Sequence, residues 1–137
     1  MDLLILIGRI LFVAVFLGGA LGHFTNTDAM TAYTESMGLR PGRLFVLGSG
    51  VWQLVGALSV LLGVWTDLGA LMLVAFLVPT AFLMHRFWAA DDAETKAAEQ
   101  IHFNKDISLA GGALILLGFV LDTGDALGYT LTGPLFG

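Results

Sequence analysis

Apolar residues do not alternate along this chain; they come in four long blocks separated by short polar stretches. Leu3–Leu21 is a block of 19 residues broken by one charge, Arg9. Leu44–Trp65 runs for 22 residues and Leu68–Met84 for 17, both without a charge, and Ile107–Leu121 adds 15. A helix advances about 1.5 Å per residue, so about 20 residues cross the roughly 30 Å hydrocarbon core of a bilayer. The first two blocks are long enough as they stand. The last two become long enough when their flanks are helical or the bilayer thins around them. A backbone in lipid must satisfy its own hydrogen bonds, which favours helix for every block. The pattern predicts an all-α membrane protein: a four-transmembrane-helix antiparallel bundle forming one domain over residues 1–137, with spans at about 3–22, 44–65, 68–86 and 105–122.

The polar stretches carry their own signals. Loop one, about 23–43, contains TNTDAMTAYTESMG. Asn26 or Thr27 can cap a short helix there and Gly38 can end it. Met30, Tyr33 and Met37 then share a face, as in a helix lying at the membrane interface. Loop three, about 86–105, predicts a second interfacial helix, capped by Asp91 or Asp92, with Ala93, Ala97 and Ile101 as a narrow apolar stripe. Thr66-Asp67 reads as a tight turn between spans two and three. Pro79 is expected to kink span three and free a carbonyl one turn earlier. Ala14, Gly18 and Gly22, and again Ser59 and Gly63, repeat every four residues and predict close helix packing.

Composition sharpens this picture. Hydrophobic residues make up 57% of the chain and charged ones 12%, with a mean hydropathy of +0.87. A soluble domain carries about 25% charged residues, and a chain this short has too much surface to hide so much apolar side chain. The net charge of −5 leaves no basic patch for nucleic acid. The chain has no cysteine, which excludes disulfides, thiol redox chemistry and a Cys-ligated cluster. The first block follows Met1-Asp2 without a basic leader and is read as a retained helix. Arg40, Arg43, Arg86, Lys96 and Lys105 fall in loops one and three, whereas the termini and the tight turn carry Asp2, Asp67, Asp122 and Asp125. By the positive-inside rule, loops one and three are expected in the cytoplasm and both termini outside the plasma membrane.

Four segments, GRILFVAVFLGGALGHF, GSGVWQLVGALSVLLGVWT, FLVPTAFLMHRFW and HFNKDISLAGGALILLG, resemble in order and spacing those of the DoxX family of small four-helix membrane proteins. The tail YTLTGPLF resembles the ending of one branch of that family. The resemblance implies a four-helix membrane bundle. It also implies association with redox chemistry. Some relatives are subunits of a thiosulfate:quinone oxidoreductase, and another forms a membrane-associated oxidoreductase complex with a superoxide dismutase and a sulfurtransferase. The chain departs from the family pattern at two polar positions. Gln53 stands where many members have glutamate, and His23 where many have lysine. A role that needs a membrane-embedded carboxylate or a permanent cation at those positions does not carry over.

Few residues can carry chemistry. Arg9 is a charge well inside a span, where it needs a partner or a route to water. It can snorkel towards Asp2, Asp67 or Asp122, reach inward to Gln53, or bind a quinone carbonyl or an anion. Gln53 is either interhelical glue or part of a ligand site, and cannot act as a general acid or base. His23, His85 and His102 are all predicted at one face of the membrane. They form a candidate metal or cofactor site if they converge, and interfacial anchors if they do not. Arg86, Lys105, Asp106 and Asp67 are read as structural polar groups: Asp106 caps the fourth span or pairs with Arg86, and Lys105 adds to the inside charge. The first functional reading is a membrane subunit that anchors an oxidoreductase complex, with a soluble or membrane redox protein as partner. The alternatives are a quinone- or metal-binding electron-transfer subunit, and a small transporter or lipid-binding protein. The bilayer is an expected partner in every case, and a second copy of the chain could cover the small-residue ridges.

Overall fold

The structure, a computed structural model, describes residues 1–137. Five α-helices follow one another: α1 (Asp2–Thr25), α2 (Thr27–Ser36), α3 (Gly42–Leu62), α4 (Thr66–Met84) and α5 (Ala93–Thr123). Short 3-10 turns occupy Phe87–Ala89 and Gly124–Ala126, and there is no strand. Helices α1, α3, α4 and α5 are each long and apolar enough to cross a membrane. Helix α1 packs on α3, α3 on α4 and α4 on α5, while α2 lies against α3 at the end of the bundle. The interior is small: Val13, Phe16, Ala57, Val60, Ala70, Leu73, Leu77 and Ala110 form its core. Leu4, Leu11, Leu44, Ile101 and Ile115 are mostly exposed. Large apolar side chains facing outward around so small a core suit a bundle whose solvent is lipid.

Three expectations change. Loop three has no separate helix. Asp92 does cap a helix, its carboxylate accepting from the Thr95 amide at 2.8 Å, but that helix runs unbroken for 31 residues into the fourth span. No glycine or proline interrupts it before Gly111, so the polar stretch Asn104-Lys105-Asp106 continues the helix instead of starting one. The turn between α3 and α4 lies at Gly63–Trp65, with Thr66 and Asp67 already helical. Gly63 takes a left-handed backbone, φ 68°, which ends α3. Ala14 and Gly18 face outward rather than packing against a neighbouring helix, whereas Ser59 packs against Gly69 of α4.

The end of the bundle that carries both termini is stapled. Arg9, only 2% exposed, donates from Nε to the Val60 carbonyl at 2.8 Å, from Nη2 to Leu61 at 2.8 Å and from Nη1 to Tyr129 at 2.9 Å. Val60 and Leu61 belong to the last turn of α3, whose carbonyls lack helical partners. A cation there also suits the helix dipole. Arg9 thus caps α3 and holds the C-terminal tail. It pairs with none of Asp2, Asp67, Asp122 or Gln53, because three carbonyls occupy its donors before it can reach a carboxylate. Asp67, fully buried, holds the same tail from the other side. Its carboxylate accepts from the Leu135 amide at 2.8–2.9 Å and from Phe136 at 2.7 Å. The Gly63 carbonyl accepts from Leu131 and Thr132.

Candidate functional site

The opposite end, where His23, His85 and loops one and three lie, is open inside. A cavity of about 510 Å³ sits among α1, α3, α4 and α5, with α2 across its top. Known small-molecule sites span about 300–1,000 Å³ and combine apolar walls with a few polar groups. Here Phe16, Phe76, Leu77 and Leu109 supply apolar wall. The polar lining includes His23, Ser49, Gln53, Thr80, His85 and Asp106.

His23 is set by the last turns of α1. Its Nδ1 lies 2.7 Å from the Val46 carbonyl, which can only accept, so Nδ1 carries the proton and donates. Nε2 then remains an acceptor, and no protein group pairs with it. Ser49 lies 3.2 Å from the same Nδ1 and itself donates to Val46. Gln53 stands one turn deeper on α3. It is only 2% exposed, and its Nε2 has no hydrogen-bond partner. A buried donor left unpaired costs about 1–3 kcal/mol, which is strong reason for it to seek a ligand.

His85 ends α4 as that helix unwinds before the Phe87–Ala89 turn. Its Nδ1 lies 2.8 Å from the Glu99 carboxylate and its Nε2 3.6 Å from Asp106. Glu99 is also 3.2 Å from the Tyr33 hydroxyl, which lies 3.1 Å from the Met84 carbonyl. Burial, and then the Glu99 charge, push the Tyr33 hydroxyl up to about 12. The cluster therefore joins α2, α4 and α5 through side-chain hydrogen bonds. Asp106 is buried and lines the cavity, with Lys105 Nζ 3.5 Å away. Neither capping nor pairing with Arg86 describes Asp106, because it lies in the middle of α5. Arg86 donates instead to the Met37 carbonyl at 3.1 Å, tying the end of α4 to the end of α2.

The sequence grouped five residues that the fold separates. His23, Gln53 and His85 line one cavity. Arg9 belongs to the stapled end, away from that cavity. His102 stacks on His85, with ring centroids 5.1 Å apart, but does not line the cavity. The three histidines do not form a metal site: no group of three or more His, Cys, Asp or Glu side chains stands close enough to hold an ion. The physical reason is that Glu99 and Asp106 already flank the two nitrogens of His85, while His23 is held by Val46 on α3. Glu99 was the residue hardest to find. Glu99, His102 and Asp106 are spaced three and four apart, which places them on one helix face, but only if α5 is continuous.

The DoxX family model matches residues 4–86, more than half of the chain and the part that supplies three of the cavity's four long helices. The chain belongs to the DoxX family. Two curated Escherichia coli K12 proteins are similar to it. The inner membrane protein YqjF is 30% identical over 115 residues, 84% of this chain and 82% of the relative. The inner membrane protein YphA is 26% identical over 113 residues, 82% and 80% respectively. No solved structure matches. With inner-membrane relatives and four apolar helices, this DoxX protein is a multi-pass plasma-membrane protein.

Proposed function

We propose that the cavity binds the head group of a membrane-resident amphiphile of the quinone class, and that the protein serves as the membrane subunit of an oxidoreductase assembly using that molecule. The observation that carries the reading is the buried Gln53, whose amide nitrogen has no partner in the protein, on a cavity that His23 also lines. The amide can donate to a carbonyl oxygen and the His23 Nε2 can accept from a hydroxyl. A head group that exists as carbonyl in one state and hydroxyl in the other suits both. His85 and Asp106 also line the cavity, and the Asp106 carboxyl gives such a head group a further hydrogen-bond partner. The chain has no cysteine for thiol redox chemistry, so in this reading electrons come from a partner protein that the bundle anchors. The Lys and Arg of loops one and three favour the cytoplasmic side for the cavity end, and so for that partner.

The test is equilibrium binding of decyl-benzoquinone to the purified protein in phospholipid nanodiscs. Saturable binding is expected, weakened about tenfold or more by Gln53→Leu, since losing one buried hydrogen bond costs about 1–3 kcal/mol. No binding to the wild type, or equal binding to Gln53→Leu and His23→Phe, sinks the reading.

A further inference from the structure

The ring of helices is not closed. Helices α1 and α3, α3 and α4, and α4 and α5 pack along their lengths, but α1 and α5 do not. These two do touch near mid-span: the Phe12 ring lies 3.5 Å from where a Cβ on Gly112 would stand. The helices run antiparallel, so each step along α1 from Phe12 is matched by a step back along α5 from Gly112. That register sets Val15 and Gly19 opposite Leu109 and Lys105. All four line the cavity. Yet Val15 is 45% exposed and the Lys105 side chain 47% exposed. The cavity wall and the outer surface are therefore the same residues here. One turn further, a Cβ on Gly22 would meet nothing within 4 Å. Helix α1 offers glycine at positions 19 and 22 here, and a Cβ at Gly19 would meet Gln53 of α3 before any atom of α5. Exposed Leu11 and Ile101 flank the gap with apolar surface.

We infer that this gap is a lateral portal through which the amphiphile passes from the bilayer into the cavity, its hydrocarbon tail remaining between α1 and α5. The inference rests on the amphiphile reading above. It assigns a lipid-side route and a tail-binding groove made by Val15, Gly19, Gly22, Lys105 and Leu109. Lys105 is held by Asp106 at the inner edge of the portal, where a cation can stay near the head-group layer while its stem covers the groove.

The native chain has no cysteine, so a Val15→Cys/Leu109→Cys pair can be joined by a short reducible bis-methanethiosulfonate linker without competing thiols, because helices that do not pack together stand too far apart for a direct disulfide. The control pair is Phe12→Cys/Gly112→Cys, at the level where the helices already meet. Both are bridged in nanodiscs, and binding of decyl-benzoquinone is compared before bridging, after it, and after reduction. Bridging 15–109 is expected to weaken binding at least tenfold, reduction to restore it, and bridging 12–112 to leave it within about twofold of the unbridged value. Full binding to the 15–109 bridged protein overturns the portal, as does equal loss with the control bridge. Failure of the wild type to bind overturns the amphiphile reading itself and the portal with it. Gly22→Phe, whose side chain starts in open space, plugs the same groove without a bridge and is expected to slow uptake at least tenfold; unchanged uptake overturns the portal.

Discussion

Replacing Arg9 with methionine keeps much of the side chain's length and removes all of its donors. Three carbonyls, of Val60, Leu61 and Tyr129, then lose their partner. Each acceptor left unpaired in a buried place costs about 1–3 kcal/mol. Part of that is returned, because the variant no longer buries a guanidinium, and water can reach a bundle end more easily than its middle. A net loss of about 3 kcal/mol is the central expectation. For a chain of this size that corresponds to roughly 10 °C in Tm. The damage is also local. The Tyr129 carbonyl anchors the tail, so a protease should remove a C-terminal tag and the last residues of Arg9→Met faster than those of the wild type. Arg9→Lys should fall between the two, because one ammonium cannot reproduce the fixed fork that reaches three carbonyls. Thermal unfolding in detergent and timed proteolysis in nanodiscs measure both effects. If Arg9→Met melts with the wild type and its tail stays protected, the capping role is wrong. If its stability holds but decyl-benzoquinone binding is lost, Arg9 is a ligand residue after all.

Asp67→Asn should release the same tail from the other side, with faster tail proteolysis but unchanged cavity binding, since charge-assisted bonds to Leu135 and Phe136 become ordinary ones. Gly69→Ala should destabilise by about 1–3 kcal/mol through overpacking, because its Cβ would collide with Ser59 Oγ, while Gly18→Ala, with open space around its Cβ, should not; equal melting temperatures would contradict the α3–α4 packing. Tyr33 ionises near 12 in the folded protein against about 10 unfolded, so its contribution to stability is present below pH 10 and is lost as pH rises towards 12. The tyrosinate absorbance difference between wild type and Tyr33→Phe should therefore have its midpoint near 12, and a midpoint near 10 would refute the placement of that hydroxyl against Glu99.

Much of the fold was legible because lipid imposes a coarse code. Length, apolarity and four blocks lead to four spans, and the structure's helices differ from the blocks mainly at their ends. What the blocks could not show is where a helix continues through polar residues. Asn104-Lys105-Asp106 looks like an aqueous loop, but it has no helix breaker, and α5 carries it into the bundle. That one misreading hid Glu99 and assigned Asp106 to a cap. Trp52, near the middle of α3, is 46% exposed, with its indole N–H on the Met72 carbonyl at 2.8 Å. Periodicity could not decide its direction because nearly every position of a lipid-facing helix is apolar. The convergence of His23 with Gln53 and His85 needed the third dimension, since they sit on three different elements.

Arg9 and Gln53 show why polarity alone ranks candidate residues badly in a membrane bundle. The charged residue is the more conspicuous of the two, but each of its three nitrogens already donates to the protein's own backbone. The neutral residue is less conspicuous and is the one left incomplete. In water an incomplete side chain means little, because solvent completes it. In a lipid-solvated interior the unmade bond keeps its cost, which favours a bound partner wherever such a group borders a cavity, as Gln53 does. The same argument separates the two ends of the molecule. At the end with the termini, Arg9, Asp67 and Gly63 bind the tail down, and only the small Thr66 hydroxyl is left without a partner. At the other end, the cavity, the Gln53 amide, the free His23 nitrogen and the α1–α5 gap are all left open by the chain itself. The stapled end supplies rigidity that the open end cannot, and the open end is where a ligand completes the structure.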